Sequence, residues 1–451
     1  MAVAAILYAH RLSPEANGHY QNFWIQLLPL AALASAGIPV TALTYSPAFL
    51  AGVFGRLSSR QLSLYLLFTL AIALLFGCLQ QYSNGLAGSW AALFFWLYIS
   101  TAISEALLLV GKTFRPVTLI NILYALLFLL AHWLVLPQYN LLHLLQYLCL
   151  LQLARLLPGL LLLQRQYRAH RNGAVPVSRE QLGSLRKLWL HMGANDLLQV
   201  SFRWMDKFLV SLFLAKATLA LYTNATADLP FLPLVFTAVS AAAIQHWAHF
   251  SGQGGGGEQL NILHYSSRVL SAVVFPLFFF MVCFGYSFLY VVFSPAYTSG
   301  LAIFLCAQLV LPVRAYPFMA LLQQQQRGDL INKGALIDLV MAIVLMYPLY
   351  LLLGLPGLAL STVISTWWLA AYYLRHSARL LGRPVSDLIP WRHLLRKALL
   401  FAGCFAALRL LTVYSGLSQK GIFLTGFIAL ALGAACALYY EWKKGRHFFL
   451  G

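Results

Sequence analysis

Residues 89–135 read SWAALFFWLYISTAISEALLLVGKTFRPVTLINILYALLFLLAHWLV, two apolar runs joined by a short turn that carries Lys112 and Arg115. The runs, taken as 88–110 and 116–136, each reach the ~20 residues a helix needs to cross a bilayer core. A segment in lipid has to satisfy its own backbone, so such runs are transmembrane helices. The same alternation extends outward in both directions. It predicts helices over 1–9, 21–45, 61–80, 88–110, 116–136, 141–164, 188–214, 217–248, 267–293, 299–322, 331–353, 356–375, 394–414 and 421–440, the first about half the spanning length. The expected fold is therefore an all-α integral membrane protein with about 14 transmembrane helices.

Composition agrees. Of 451 residues 61% are hydrophobic and 9% charged, and mean hydropathy is +0.77, whereas soluble domains carry about 25% charged residues. Soluble enzymes and nucleic-acid-binding modules are excluded on that ground. The net charge of +19 has a topological origin. One alternate set of loops holds Arg56, Arg60, Lys112, Arg115, Arg165, Arg168, Arg171, Arg179, Arg186, Lys187, Arg268, Arg327 and Lys333, and also Arg375, Arg379, Arg383, Arg392, Arg396, Lys397, Lys443, Lys444 and Arg446. The other set holds only Arg11, Lys216 and Lys420. The rich side is cytoplasmic by the positive-inside rule, which also places the C-terminus in the cytoplasm. Trp24, Trp90, Trp133, Trp189, Trp247, Trp391 and Trp442 lie near span ends as interface anchors.

The six cysteines, Cys78, Cys149, Cys283, Cys306, Cys404 and Cys436, fall in apolar spans without CxxC spacing, which points to neither a disulfide framework nor a metal site. No cleavable signal peptide is evident in MAVAAILYAHRL. Exterior loops are short and leave no room for a catalytic domain. Two longer cytoplasmic segments divide the chain into a six-helix lobe (1–164), a linker (165–187), a second six-helix lobe (188–377), a loop (378–397) and a terminal helix pair with a basic tail (398–451). YAHRLSPEANGHYQN (8–22) and LFLAKATLALYTN (212–224) share a helix end, a short turn and a Tyr opening the next helix. Two equally oriented lobes of this kind enclose a central cavity in transporters. The run GQGGGG (252–257) lacks the GKS/T ending of a phosphate loop and reads as a flexible linker.

Chemistry is sought among ionisable residues inside spans, which cost about 2.5–3.5 kcal/mol each at a helix centre. In HMGANDLLQVSFRWMDKFLV, Asp196, Gln199, Arg203, Asp206 and Lys207 recur at helical spacing on one face. That face is either an internally neutralised set or a cavity-lining stripe. Arg155 and Arg314 have no carboxylate in their own sequence neighbourhood and each sits near a Pro. Each is open to an anionic ligand such as a diphosphate, or to a pair with Glu105, Asp228 or Asp338. Asp196, Asp206, Glu105, Asp228 and Asp338 are the candidates for binding a coupling H⁺ or Na⁺. Arg409, outside the two lobes, is structural or snorkels to an interface. Trp96, Trp204, Trp367 and Trp368 are internal; Trp204 and the 367–368 pair are candidates for stacking on sugar rings, with core packing the alternative.

Four blocks resemble the flippases of lipid-linked oligosaccharides, the O-antigen and polysaccharide exporter branch of the multidrug/oligosaccharidyl-lipid/polysaccharide (MOP) superfamily. They are HRLSPEANGHYQNFW (10–24), RWMDKFLVSLFLAKATLALYTNATADLP (203–230), SPAYTSGLAIFLCAQLVLP (294–312) and LLQQQQRGDLINKGALIDLVMAIVLMYPLYLLLGLPGLALSTVIS (321–365). The resemblance implies two pseudo-symmetric six-helix bundles around a cationic cavity plus a terminal helix pair. It implies a non-enzymatic carrier in the bacterial cytoplasmic membrane that moves undecaprenyl-diphosphate-linked glycan to the outer leaflet by alternating access. It also implies Arg155, Arg203, Lys207 and Arg314 as diphosphate ligands, Asp206 as an acid such proteins often have in this helix, and Trp204 and Trp367 as stacking residues. The partners it implies are the lipid-linked glycan, membrane lipid, and polymerase and export proteins of the same pathway, with no cofactor, no metal and no nucleic acid. The alternative within the superfamily is a cation-coupled multidrug antiporter, disfavoured by five intramembrane cations. A glycan polymerase or ligase lacks its long exterior loop here, and a prenyltransferase lacks its paired aspartate-rich motifs.

Overall fold

The computed structural model describes residues 2–135, 140–171, 177–227, 232–250, 256–325 and 327–449. These residues form nineteen α-helices and no strand, which confirms the all-α class. Seven helices are long and apolar enough to cross a membrane: Ser59–Asn84, Gly88–Val110, Phe114–Val135, Leu141–Ala169, Gln259–Phe293, Gly328–Leu353 and Gln419–Lys444. The chain divides into two compact units, Val3–Leu219 and Ala220–Gly451.

In the first unit α1 (Ala2–Arg11) leads into α2 (Pro14–Ser35). Ser13 caps α2 by accepting from the Ala16 amide, and Pro14 occupies the first turn, where its missing N–H is not needed. α3 (Ile38–Ala42), α4 (Pro47–Arg56), α5 (Ser59–Asn84), α6 (Gly88–Val110), α7 (Phe114–Val135), α8 (Leu141–Arg171) and α9 (Arg179–Phe213) follow. Reciprocal capping boxes, Ser58 with Gln61 and Ser178 with Gln181, start α5 and α9. The core is a cluster of rings from α2, α5, α6 and α7: Phe23, Trp24, Phe76, Phe94, Phe95 and Phe128. Trp24 is thus a core residue and not the interface anchor expected; its ring meets Phe23, Phe94 and Phe128. Trp133, Trp391 and Trp442 are half-exposed or more, as anchors should be.

α10 (Lys216–Ala225) bridges to the second unit, where α11 (Leu232–Phe250), α12 (Gly256–Phe288), α13 (Leu301–Gln308), α14 (Ala320–Gln324), α15 (Gly328–Leu353), α16 (Leu355–Leu381), α17 (Val385–Leu388), α18 (Trp391–Tyr414) and α19 (Gln419–Phe449) follow. α12 is central, packed by α11, α13, α18 and α19. Phe280, Phe284 and Phe405 form its ring cluster, with Gly426 of α19 admitting the Phe284 ring. At the basic end the buried carboxylate of Glu441 lies 2.9 Å from Lys397 Nζ and 3.0 Å from His393 Nε2, tying α19 to α18. Lys397 also donates to the Arg268 carbonyl of α12.

Several expected spans are divided. The 21–45 span breaks at Ala36 and Gly37, both left-handed (φ 51° and 68°), and Pro39 restarts the chain as α3. The Gly37 φ favours glycine, and a Cβ there would strike the Gly193 backbone of α9. The 299–322 span becomes α13, a 3₁₀ turn at Pro312–Ala315 and α14, because Pro312 and Pro317 remove amide donors and disfavour helix in the residue before them. The 217–248 span ends as α10 at Ala225 and resumes as α11. α4 and α17 were not anticipated. Much of the expected 165–187 linker is helical, since α8 runs to Arg171 and α9 starts at Arg179; α9 packs on α2 and α3, and the division between compact units falls after Leu219.

Candidate functional site

Arg155 of α8 illustrates how a buried cation is accommodated. Its Nη2 lies 2.6 Å and its Nε 3.0 Å from Glu105 Oε1 of α6, and Nε also donates to Asn121 Oδ1 of α7 at 3.0 Å. The guanidinium sits 4.5 Å from the Tyr124 ring centroid. Of the two readings open for Arg155, the pair with Glu105 is the one present. A charge removed from water needs such compensation from an opposite charge, a hydrogen bond and a ring face. Asn121 and Tyr124 were passed over in the sequence; their signal is a polar pair three residues apart in an otherwise aliphatic span.

The polar stripe of α9 changes character along its length. Asp206 is buried, with Lys207 Nζ 3.3 Å from its Oδ2, and Val210 and Ser211 are buried beyond it. Gln26 of α2 donates to Ser211 Oγ at 3.4 Å, and Gly18 packs directly on the Lys216 backbone. Toward the start of α9, Trp189 Nε1 donates to the Ala36 carbonyl at 2.6 Å, next to the Gly37 and Gly193 contact. Between these two closures Asp196 is half-buried and Gln199 and Arg203 are exposed. Among the described residues Arg203 has no ion-pair partner. Trp204 is half-buried. Lys207 thus pairs with Asp206, whereas Arg203 is exposed.

The first closure rests on a network of neutral amides, which carry no charge to mark them in the sequence. Asn22 Nδ2 donates to Ser83 Oγ and Asn84 Oδ1, Gln26 Nε2 to Asn22 Oδ1, Gln80 Nε2 to Gln26 Oε1, and Asn84 Nδ2 to Gln80 Oε1. Asn22, Gln26 and Gln80 are fully buried. The sequence signal is HYQNFWIQ (19–26) facing LQQYSN (79–84).

In the second unit Arg314 is carried on the 3₁₀ turn at Pro312–Ala315. It is exposed on a cavity of about 350 Å³ lined by Phe236, Thr237 and Ser240 of α11, Leu270 of α12 and the segment Tyr316–Met319. Its guanidinium lies 5.7 Å from the Phe236 ring centroid. Asp338 of α15 is buried, feels the charge of Arg314 and has Ser365 of α16 as a polar neighbour; its Oδ1 has no hydrogen-bond partner. Trp367 is half-exposed and donates its indole N–H to the Leu309 carbonyl at 3.0 Å, while Trp368 stacks on Tyr372. Asp228 and most of the 252–257 glycine run lie outside the described residues. Arg409 rests against the Phe284 ring, 5.8 Å from its centroid. Among the described residues no cluster of His, Cys, Asp or Glu is arranged to hold a metal.

The fold is shared with solved membrane transporters. One solved structure with it is a lipid II flippase, MurJ, in an inward closed conformation, at TM-score 0.67 and 14% identity over 98% of this chain and 96% of that one. A second is an inward-facing multidrug resistance MATE family transporter of the MOP superfamily, at TM-score 0.59 and 15% identity over 85% of this chain and 94% of that one. No protein-family model and no curated protein matches the sequence.

Proposed function

We propose that this chain is a flippase, a non-enzymatic carrier that moves a diphosphate-linked lipid oligosaccharide, an O-antigen or exopolysaccharide repeat unit, from the cytoplasmic to the outer leaflet by alternating access. The observation that carries this reading is an arginine exposed on a cavity, Arg314, with a second exposed arginine, Arg203, on α9. Arg155 is matched by Glu105 and Lys207 by Asp206, whereas Arg203 is open on α9 and Arg314 borders a cavity. Guanidinium groups in that position suit an anionic head group, since they bind phosphate oxygens bidentately. The resemblance to lipid-linked-glycan flippases and the fold shared with a lipid II flippase support the same substrate class.

Arg203 in the first unit and Arg314 in the second are each a candidate ligand for phosphate oxygens. Arg155 and Lys207 join only by exchanging a carboxylate for phosphate. Asp338, buried with one oxygen lacking a hydrogen bond, is the leading acid for a coupling H⁺ or Na⁺. Asp196, Asp206 and Glu105 follow it, and Trp204 and Trp367 remain stacking candidates. The carrier works in the bacterial cytoplasmic membrane, alongside the polymerase and export proteins of its pathway. A cation-coupled antiporter would need an acidic cavity, and the cavity beside Arg314 has an arginine and no carboxylate among its described lining residues.

The test is the lipid-linked glycan pool in cells with and without the chain, resolved between leaflets with an impermeant glycan-modifying reagent. Inner-leaflet accumulation on removal, restored by the wild-type chain, is the expected result. An unchanged pool and distribution would transfer the assignment to small-molecule export. Topology is checked independently: in a Cys-free background, Asn84→Cys is labelled by an impermeant maleimide from outside, and Gly382→Cys only after permeabilisation.

A further inference from the structure

The basic end of α16 carries a feature that the carrier's diphosphate ligands do not use. Trp368, Ala371, Tyr372, Arg375, His376 and Arg379 recur at three- and four-residue spacing and line one concave surface of about 340 Å³. That volume lies in the about 300–1,000 Å³ range of small-molecule sites. The Trp368 and Tyr372 rings are stacked, 5.4 Å between centroids and 18° from parallel, and the Tyr372 ring meets the His376 imidazole edge-on at 4.5 Å. The result is a continuous aromatic strip ending in two guanidinium groups.

Two neighbouring features hold this strip in place and set its charge. Gly334 of α15 lets the Tyr372 and Tyr373 rings approach its backbone, where any Cβ would collide, and Tyr373 donates its hydroxyl to the Ile331 carbonyl at 2.8 Å. The strip is therefore ordered before any ligand arrives, which lowers the cost of binding. Asp329 is already engaged with Arg327, at 3.0 Å and 2.9 Å in a two-pronged pair. Among the described residues Arg375 and Arg379 have no ion-pair partner, and Lys333 adds its charge nearby.

We propose that this groove docks the phosphate-linked sugar of a lipid head group at the cytoplasmic face of the membrane, before transport. The aromatic strip lies against the C–H face of the sugar ring, and Arg375 and Arg379 hold the phosphate. An aromatic π-face is negative and attracts the slightly positive C–H edge, while the fork of a guanidinium fits phosphate oxygens. The inference rests on the carrier reading above and adds a loading subsite to it. Phosphate chemistry is shared with anionic phospholipids, so the sugar is the discriminating element.

The experiment measures equilibrium binding to the full chain in phosphatidylcholine nanodiscs, with a short-chain polyprenyl diphosphate bearing one hexose and with the same diphosphate lacking the sugar. The hexose should strengthen binding about tenfold in the wild type. Trp368→Ala with Tyr372→Ala should remove that increment while binding of the sugar-free diphosphate stays as in the wild type, and Trp368→Phe should keep most of it. Arg375→Ala with Arg379→Ala should weaken both probes. An increment that survives the aromatic double variant overturns the proposal. So does full competition by phosphatidylglycerol in the disc, which would mark a phospholipid head-group site. If the wild type binds neither probe, the carrier reading falls together with the groove; if it binds both and the groove variants change nothing, the groove alone falls.

Discussion

Arg155 and Arg314 look alike in sequence, each an arginine in an apolar run with a proline nearby and no acid within several residues. In the folded chain they have opposite situations. Arg155 is held by Glu105, Asn121 and the Tyr124 ring, contributed by two neighbouring helices. Arg314 is displayed on a proline-broken turn at the edge of a cavity, its guanidinium 5.7 Å from the Phe236 ring centroid and its charge felt by Asp338. A regular helix lets its neighbours close around a side chain, whereas the broken one here leaves Arg314 exposed on a cavity wall. An intramembrane cation is therefore a functional candidate only once its cross-helix partners are known.

The largest effect that would sharpen this contrast is on transport. Arg314→Ala should lower flipping about ten- to a hundredfold, the value of one or two charge-assisted hydrogen bonds, with an unchanged melting temperature. Near-normal flipping in vesicles reconstituted with the variant would break the contrast. Arg155→Ala should show the reverse emphasis, a loss of about 2 kcal/mol of stability in a detergent unfolding titration, because Glu105 is left unpaired. Replacing both, as Arg155→Met with Glu105→Leu, should recover most of that loss. A double variant no more stable than the single one would mean that Glu105 and Arg155 are not an energetic pair.

A smaller effect is expected from the amide network. Gln26→Leu removes a residue that donates to Asn22 and Ser211 and accepts from Gln80, and should cost about 1–3 kcal/mol through the buried groups left unsatisfied. Its failure to alter the melting temperature would reduce the network to packing. The mildest test is chemical accessibility. In a Cys-free background Arg314→Cys should react with a small polar thiol reagent several-fold faster than Arg155→Cys, and equal rates would erase the difference in exposure.

The charged residues were the easiest to find in sequence and the least informative about role. Asp206 was identifiable as an intramembrane acid, but its contact with the adjacent Lys207 was not, because side-chain direction depends on what covers that turn of α9. The amides of α2 and α5 are ordinary residues individually; they matter because Asn22 and Gln26 meet Gln80, Ser83 and Asn84 some sixty positions away. Trp367 and Trp368 were indistinguishable in sequence. One helical step of 100° turns the first to the Leu309 carbonyl and the second onto Tyr372.

The all-α membrane class, the approximate ends of most helices and the basic ends of the chain's hairpins follow from sequence alone, because hydrocarbon thickness and the charge rule act on composition and length. The positions where spans break were partly legible in Pro39, Pro312 and Pro317, since proline acts locally. Tertiary structure alone decided which cations are neutralised, where α9 is covered and where it is open, and which tryptophan joins the stack beside Arg375 and Arg379. Those outcomes depend on which residues of distant helices arrive within about 4 Å of a given side chain, and no local pattern in a single sequence records that.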